Sequence, residues 1–143
     1  MDSDYPGAMT RQPEHSQPHL VTLGQTKTMY YTRIYSDRNG ESHFEVIEVP
    51  LKDFGDVGFL SEGQKVKNLQ FRENSGDYYW DFHNPASRQF IILLDGEIEI
   101  TTSLGEVRRF TAGDILLVED TEGRGHRTEN ITRELRKSIF IQL

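Results

Sequence analysis

The chain has 143 residues and about 16.6 kDa, which suits one domain with a real core and leaves little room for two. It is 35% hydrophobic and 27% charged, with no cysteine, so disulfides, zinc–thiolate sites, iron–sulfur clusters and a cysteine nucleophile are excluded. The net charge of −7 and a pI near 5.2 argue against a nucleic-acid partner, and no apolar run approaches the ~20 residues of a membrane span.

Residues 1–28 hold three of the five prolines and show neither a helical nor a strand period, so a flexible N-terminal tail is expected there. His15 and His19 are four apart, but Pro13 and Pro18 oppose the helix that would bring them together. No apolar signal core is present, and a cytoplasmic location is expected. From Met29 onward, over 29–143, the pattern is that of one β domain. Tyr30–Tyr35 and His43–Val49 read as strands joined at Asn39-Gly40, a strong hairpin signal, with Pro50 closing the second. The segment 53–58 reads as loop. Short strands follow at Val66–Glu73, Tyr78–His83, Gln89–Leu94, Glu97–Thr101, Val107–Phe110, Ile115–Val118, His126–Thr128 and Ser138–Gln142. Glu97-Ile98-Glu99-Ile100 alternates strictly, acids on one face and isoleucines on the other. About ten short strands with turns between them predict an all-β sandwich or barrel.

The spacing of Gly76, His83, Gln89 and Gly96, and then of Gly113, Gly123, His126 and Asn130, resembles the two motifs of the cupin superfamily. Pro85 stands where the first motif has its second histidine, Gln89 where it has glutamate, and Thr121 where the second motif has proline. The overall look is that of small single-domain cupins related to the RmlC-like sugar-epimerase barrels. The resemblance covers about 55 residues and implies a cupin-type double-stranded β-helix, a jelly-roll barrel with a small-molecule cavity inside. It also implies a homodimer, for which the hairpin from Tyr30 to Val49 offers a sheet edge.

A full cupin site offers three histidines and a glutamate to iron, manganese, nickel or zinc; here the resemblance leaves His83, Gln89 and His126. A neutral amide is a weaker ligand than a carboxylate, so binding of a small molecule without a metal is the first reading. A metal-dependent dioxygenase, decarboxylase or isomerase using these three residues is the second. The third is a metal-free isomerase, epimerase or lyase in which His83 or His126 is the general base and a tyrosine the acid, with Tyr79 taken ahead of Tyr78 and Tyr31.

In the aromatic run before His83, alternation puts Tyr79 and Asp81 on the face of His83, and Tyr78, Trp80 and Phe82 on the other. Trp80, Asp81, Arg88 and Gln89 are the candidate ligand-binding residues: an aromatic wall, polar groups, and a guanidinium able to hold a carboxylate at the cavity mouth. Arg124 and Arg127 lie near the motif positions as well. The acidic run Glu119–Glu122 is expected to be a solvated rim, and His43 a sheet-surface or subunit-contact residue. No phosphate loop, nucleophile elbow or basic–aromatic cluster appears.

Overall fold

The computed structural model describes residues 29–143, so the expected tail over 1–28, with its two histidines, lies outside the described residues. Twelve strands form: β1 Met29–Ser36, β2 Ser42–Val49, β3 Lys52–Asp53, β4 Phe59–Leu60, β5 Asn68–Asn74, β6 Tyr79–His83, β7 Gln89–Leu93, β8 Glu97–Thr101, β9 Val107–Thr111, β10 Ile115–Val118, β11 His126–Asn130 and β12 Arg136–Gln142. The chain divides into two compact units. The larger comprises Tyr31–Ile47 and Lys65–Leu143, and the smaller includes Glu48–Gln64. In the smaller unit a 3-10 turn at Gly55–Val57 joins β3 to β4, which pair over two residues each. The sequence pattern shows only a loop there, because two-residue strands carry no period.

In the larger unit the pairing is nested. β5 pairs with β12, β6 with β11, β7 with β10, and β8 with β9, all antiparallel. A single long antiparallel ribbon with its bend at β8–β9 therefore rolls up into two sheets, one ordered β2-β1-β10-β7-β12-β5 and the other β6-β11-β8-β9. This winding of eight strands is a jelly roll. The N-terminal hairpin extends the first sheet: β1 lies parallel to β10, and β2 is the edge strand. Its turn is built as the sequence predicts, with Asp37 Oδ1 accepting from the backbone N–H groups of Asn39 and Glu41 and Gly40 at φ 85°.

The period-two pattern explains which side chains face in. Ile98 and Ile100 of β8 are buried, while Glu97 and Glu99 point out and meet Arg109 of β9, Arg109 Nε lying 3.0 Å from Glu99 Oε2. β10, flanked by β1 and β7, is apolar throughout. Ile34, Phe44, Leu93, Ile98, Ile100, Phe110, Leu116 and Val118 form the core. Below one part of this core, between the two sheets, the packing leaves a cavity.

Candidate functional site

The cavity has a volume of about 240 Å³. Its middle is apolar, from Ile91, Ile98, Ile100, Leu116, Val118 and Phe140, and its polar groups come from β5, β6, β7, β11 and β12. At its centre of interest are two histidines. His83 ends β6 and His126 begins β11, and the two are register partners with ring centroids 4.8 Å apart. Their meeting depends on Gly125, which has φ 71° and packs directly on the backbone of His83, where a side chain would collide.

Each imidazole is fixed by its Nδ1. In His126, only 4% exposed, Nδ1 lies 2.6 Å from Oδ2 of the fully buried Asp120. In His83, Nδ1 lies 2.8 Å from the backbone carbonyl of Asp81, which can only accept. Both partners therefore place the proton on Nδ1 and leave the Nε2 lone pair as the second ring function. Burial pushes the His83 pKa below the ordinary histidine value, and the neighbouring His126 adds to this, against the Asp81 carbonyl and Asp120. Trp80 stacks on the His83 ring at 3.9 Å and 5°.

Of the sequence-predicted residues, His83, His126, Trp80 and Gln89 line the cavity together. The shared face expected for Tyr79, Asp81 and His83 does not form. The β6–β11 register passes from Trp80↔Thr128 to His83↔His126, so Asp81 and Phe82 stand opposite Arg127 alone. This bulge inverts the alternation, so Trp80 and His83, three apart, line the cavity, and Tyr79 and Asp81 do not. Tyr79 is 52% exposed, and Tyr31 packs edge-on against Phe90. Tyr78 is the tyrosine that lines the cavity.

Arg88 is also elsewhere. It bonds Glu119 at 2.6 Å beside an open cleft of about 400 Å³, whose other prominent cation, Arg33, is held by the same carboxylate. In that cleft Arg33 and Arg88 are both paired with Glu119, and Arg38 also lines it. Arg124 pairs with Glu41, Arg127 lies over Phe82, and His43 pairs with Asp37. The acidic run is not simply a solvated rim: Asp120 is wholly buried because its carboxylate is the partner of His126 and its carbonyl accepts from Asn84.

Among the cavity residues that the sequence pattern does not single out are two cations, Arg72 and Arg136. Arg136 lies two residues before the strand start expected at Ser138, yet it begins β12 and is 3% exposed.

A cupin-type metal would have to be held by His83, Gln89 and His126. Among the described residues no group of three His, Cys, Asp or Glu side chains is placed to hold a metal ion. The Asp120 carboxylate is engaged on His126 Nδ1. Two imidazoles and a neutral amide lack the carboxylate that would offset the charge of a divalent transition metal, which makes them a weak donor set for one.

The nested eight-strand winding defines a jelly-roll domain with a cavity between its sheets. No protein-family model and no curated protein matches the chain. Among solved structures it is similar to a Cupin 2 conserved barrel domain protein from Salinispora arenicola, at 19% identity and TM-score 0.43, over 51% of this chain and 59% of that one. It is similar to a protein from Neisseria meningitidis at 14% identity and TM-score 0.41, over 87% and 94% of the two chains. The Drosophila melanogaster CENP-C cupin domain matches at 14% identity and TM-score 0.41, over 59% and 65%. The first and third matches thus span less than two thirds of the partner's length. Among the described residues no helix is long and apolar enough to cross a membrane.

Proposed function

We propose that this domain binds a small molecule in the cavity between its sheets, as a cytoplasmic protein that works without a metal. The observation that carries the reading is the convergence of two tautomer-fixed imidazoles on a cavity whose middle is apolar. Protein-observed NMR with a library of small fragments tests it. Hits should shift the amides of Ile98, Ile100 and Thr128 and alter the emission of Trp80, the only tryptophan of the chain. A screen with no hits, or hits mapping outside the cavity, overturns it.

A second reading is metal-free acid–base chemistry on that ligand, favoured by the buried Asp120–His126 pair. A carboxylate on Nδ1 orients the ring and stabilises the imidazolium that forms when Nε2 takes a proton. Turnover of a bound ligand should then survive a chelator and be lost in His126→Ala. The domain is further proposed to pair with a second copy along β2, an edge strand of the first sheet.

A further inference from the structure

The cavity lining contains a buried guanidinium, Arg136, that forms no ion pair among the described residues. The Arg136 side chain runs past Gly96, where a Cβ would lie 3.1 Å from Arg136 Cγ, and so reaches the cavity only because that turn has no side chain. Its Nη2 donates to Asn74 Oδ1 at 3.1 Å, and its Nε has no partner. Among the described residues no carboxylate forms an ion pair with it. Burial above all, and Arg72 in addition, push its pKa below the usual guanidinium value, against Tyr78 and Asp95, yet a guanidinium stays charged. Arg72 adds a second positive charge to the lining, its guanidinium lying 3.8 Å over the Phe140 ring.

A buried, unpaired cation is costly, and surrounding protein normally supplies its partner. Here the guanidinium lies over the Tyr78 ring, 5.7 Å from its centroid, and Arg136 lines the cavity without a carboxylate partner. The strand register also places this cation apart from the histidines. Arg136 stands opposite Asn74 at one end of β12, whereas Gln142 at the other end pairs with Gln89, and Gln89 with Val118, whose strand leads to Asp120 and His126. The cavity therefore has a cationic pole, an apolar middle and an imidazole pole.

On the reading that this cavity is the ligand site, we infer that its ligand is a small organic acid. The carboxylate bonds the terminal Nη groups of Arg136 beside Arg72, a guanidinium being shaped to grip a carboxylate with two parallel N–H groups. The carbon body lies on Ile98, Ile100 and Leu116, and the far end meets Nε2 of His83 or His126. At ~30 Å³ per water the volume equals roughly eight waters, which suits an acid of about ten non-hydrogen atoms.

Matched probes test this with the full chain: benzoate against benzamide and hexanoate against hexanamide, read by Tm and Trp80 emission. The acids should raise Tm and the amides should not. Arg136→Met should weaken acid binding at least ~30-fold, while its unliganded Tm equals or exceeds that of the parent, because an unpaired charge has been removed. Arg136→Lys, which keeps the charge without the fork, should fall between. Amides binding as well as acids, or acids binding Arg136→Met unchanged, overturn the inference and leave the ligand cavity standing. Failure of every probe together with an empty fragment screen removes the ligand cavity itself. The acid–amide comparison on the parent chain decides the matter even where a variant does not fold.

Discussion

Replacing Gly125 by alanine tests how the two histidines are brought together. Two costs arise. At φ 71° an L-residue stands in the left-handed region, at ~1–2 kcal/mol. The new Cβ would also lie 2.5 Å from the carbonyl carbon of His83 and closer still to its oxygen, and both are backbone atoms that no rotamer change can move. β11 must therefore back away from β6 where His83 faces His126, losing one or two ladder hydrogen bonds at ~1 kcal/mol each. The sum is ~3 kcal/mol, a fall in Tm of roughly 10 °C for a domain of this size. Gly105→Ala is the control: its φ is 94°, but nothing lies within 4 Å of the added carbon, so only the backbone cost applies. Urea unfolding of both variants, with Trp80 emission as the probe, separates the terms. Gly125→Ala should lose about 2 kcal/mol more than Gly105→Ala and should alter the native emission, since Trp80 stacks on His83. Equal losses in the two variants would refute the claim that Gly125 is required for the close approach.

Two further outcomes are expected. His83 is held below the ordinary value of 6.5, first by burial and then by His126. Below pH 6.5 the unfolded chain gains a proton that the folded chain resists, so stability is full above that pH and declines as pH falls from 6.5 toward the folded-state value. Urea midpoints from pH 7.5 to 5.5 should therefore drop more steeply in the parent than in His83→Gln, and parallel curves would contradict the assignment. Leu93, the last residue of β7, is fully buried, and Leu94, the next residue, is 48% exposed. Leu93→Ala should cost ~2–5 kcal/mol in chemical denaturation, and Leu94→Ala well under that. Similar losses at both positions would mean that the strand presents a different face to the core.

Much of the fold was legible because it is written in local patterns. Strict alternation in Glu97–Thr101 marks β8, and Asn39-Gly40 marks the first hairpin turn. The bounds of most strands agree to within one or two residues, since a strand's period and its turn residues are properties of the segment itself. The resemblance to cupin motifs pointed to the jelly-roll roll-up, which the nested pairing bears out. The cavity histidines were legible through the same motifs, although alternation alone gives no reason to join two residues 43 positions apart.

The remainder of the site depends on contacts between distant segments. Strict alternation puts Tyr79 and Asp81 on the face of His83, and it fails because β6 carries one residue more than β11 between Trp80 and His83. A bulge is a property of a pair of strands, so neither strand's sequence declares it. Asp120 resembles any surface acid until β10 and β11 bring it to His126 Nδ1. Arg136 is the sharpest case. The strand pattern begins only at Ser138, whereas β12 begins at Arg136. By itself the sequence determined an all-β chain of short strands, the positions of its turns and which isoleucines face inward, because these follow from a period of two and from local turn chemistry. Only the tertiary structure decided that a guanidinium lies buried across from two imidazoles. Whether a charge can be buried depends on the room left at Gly96, the acceptor at Asn74 and the open space beyond it, all supplied by residues far away in the chain.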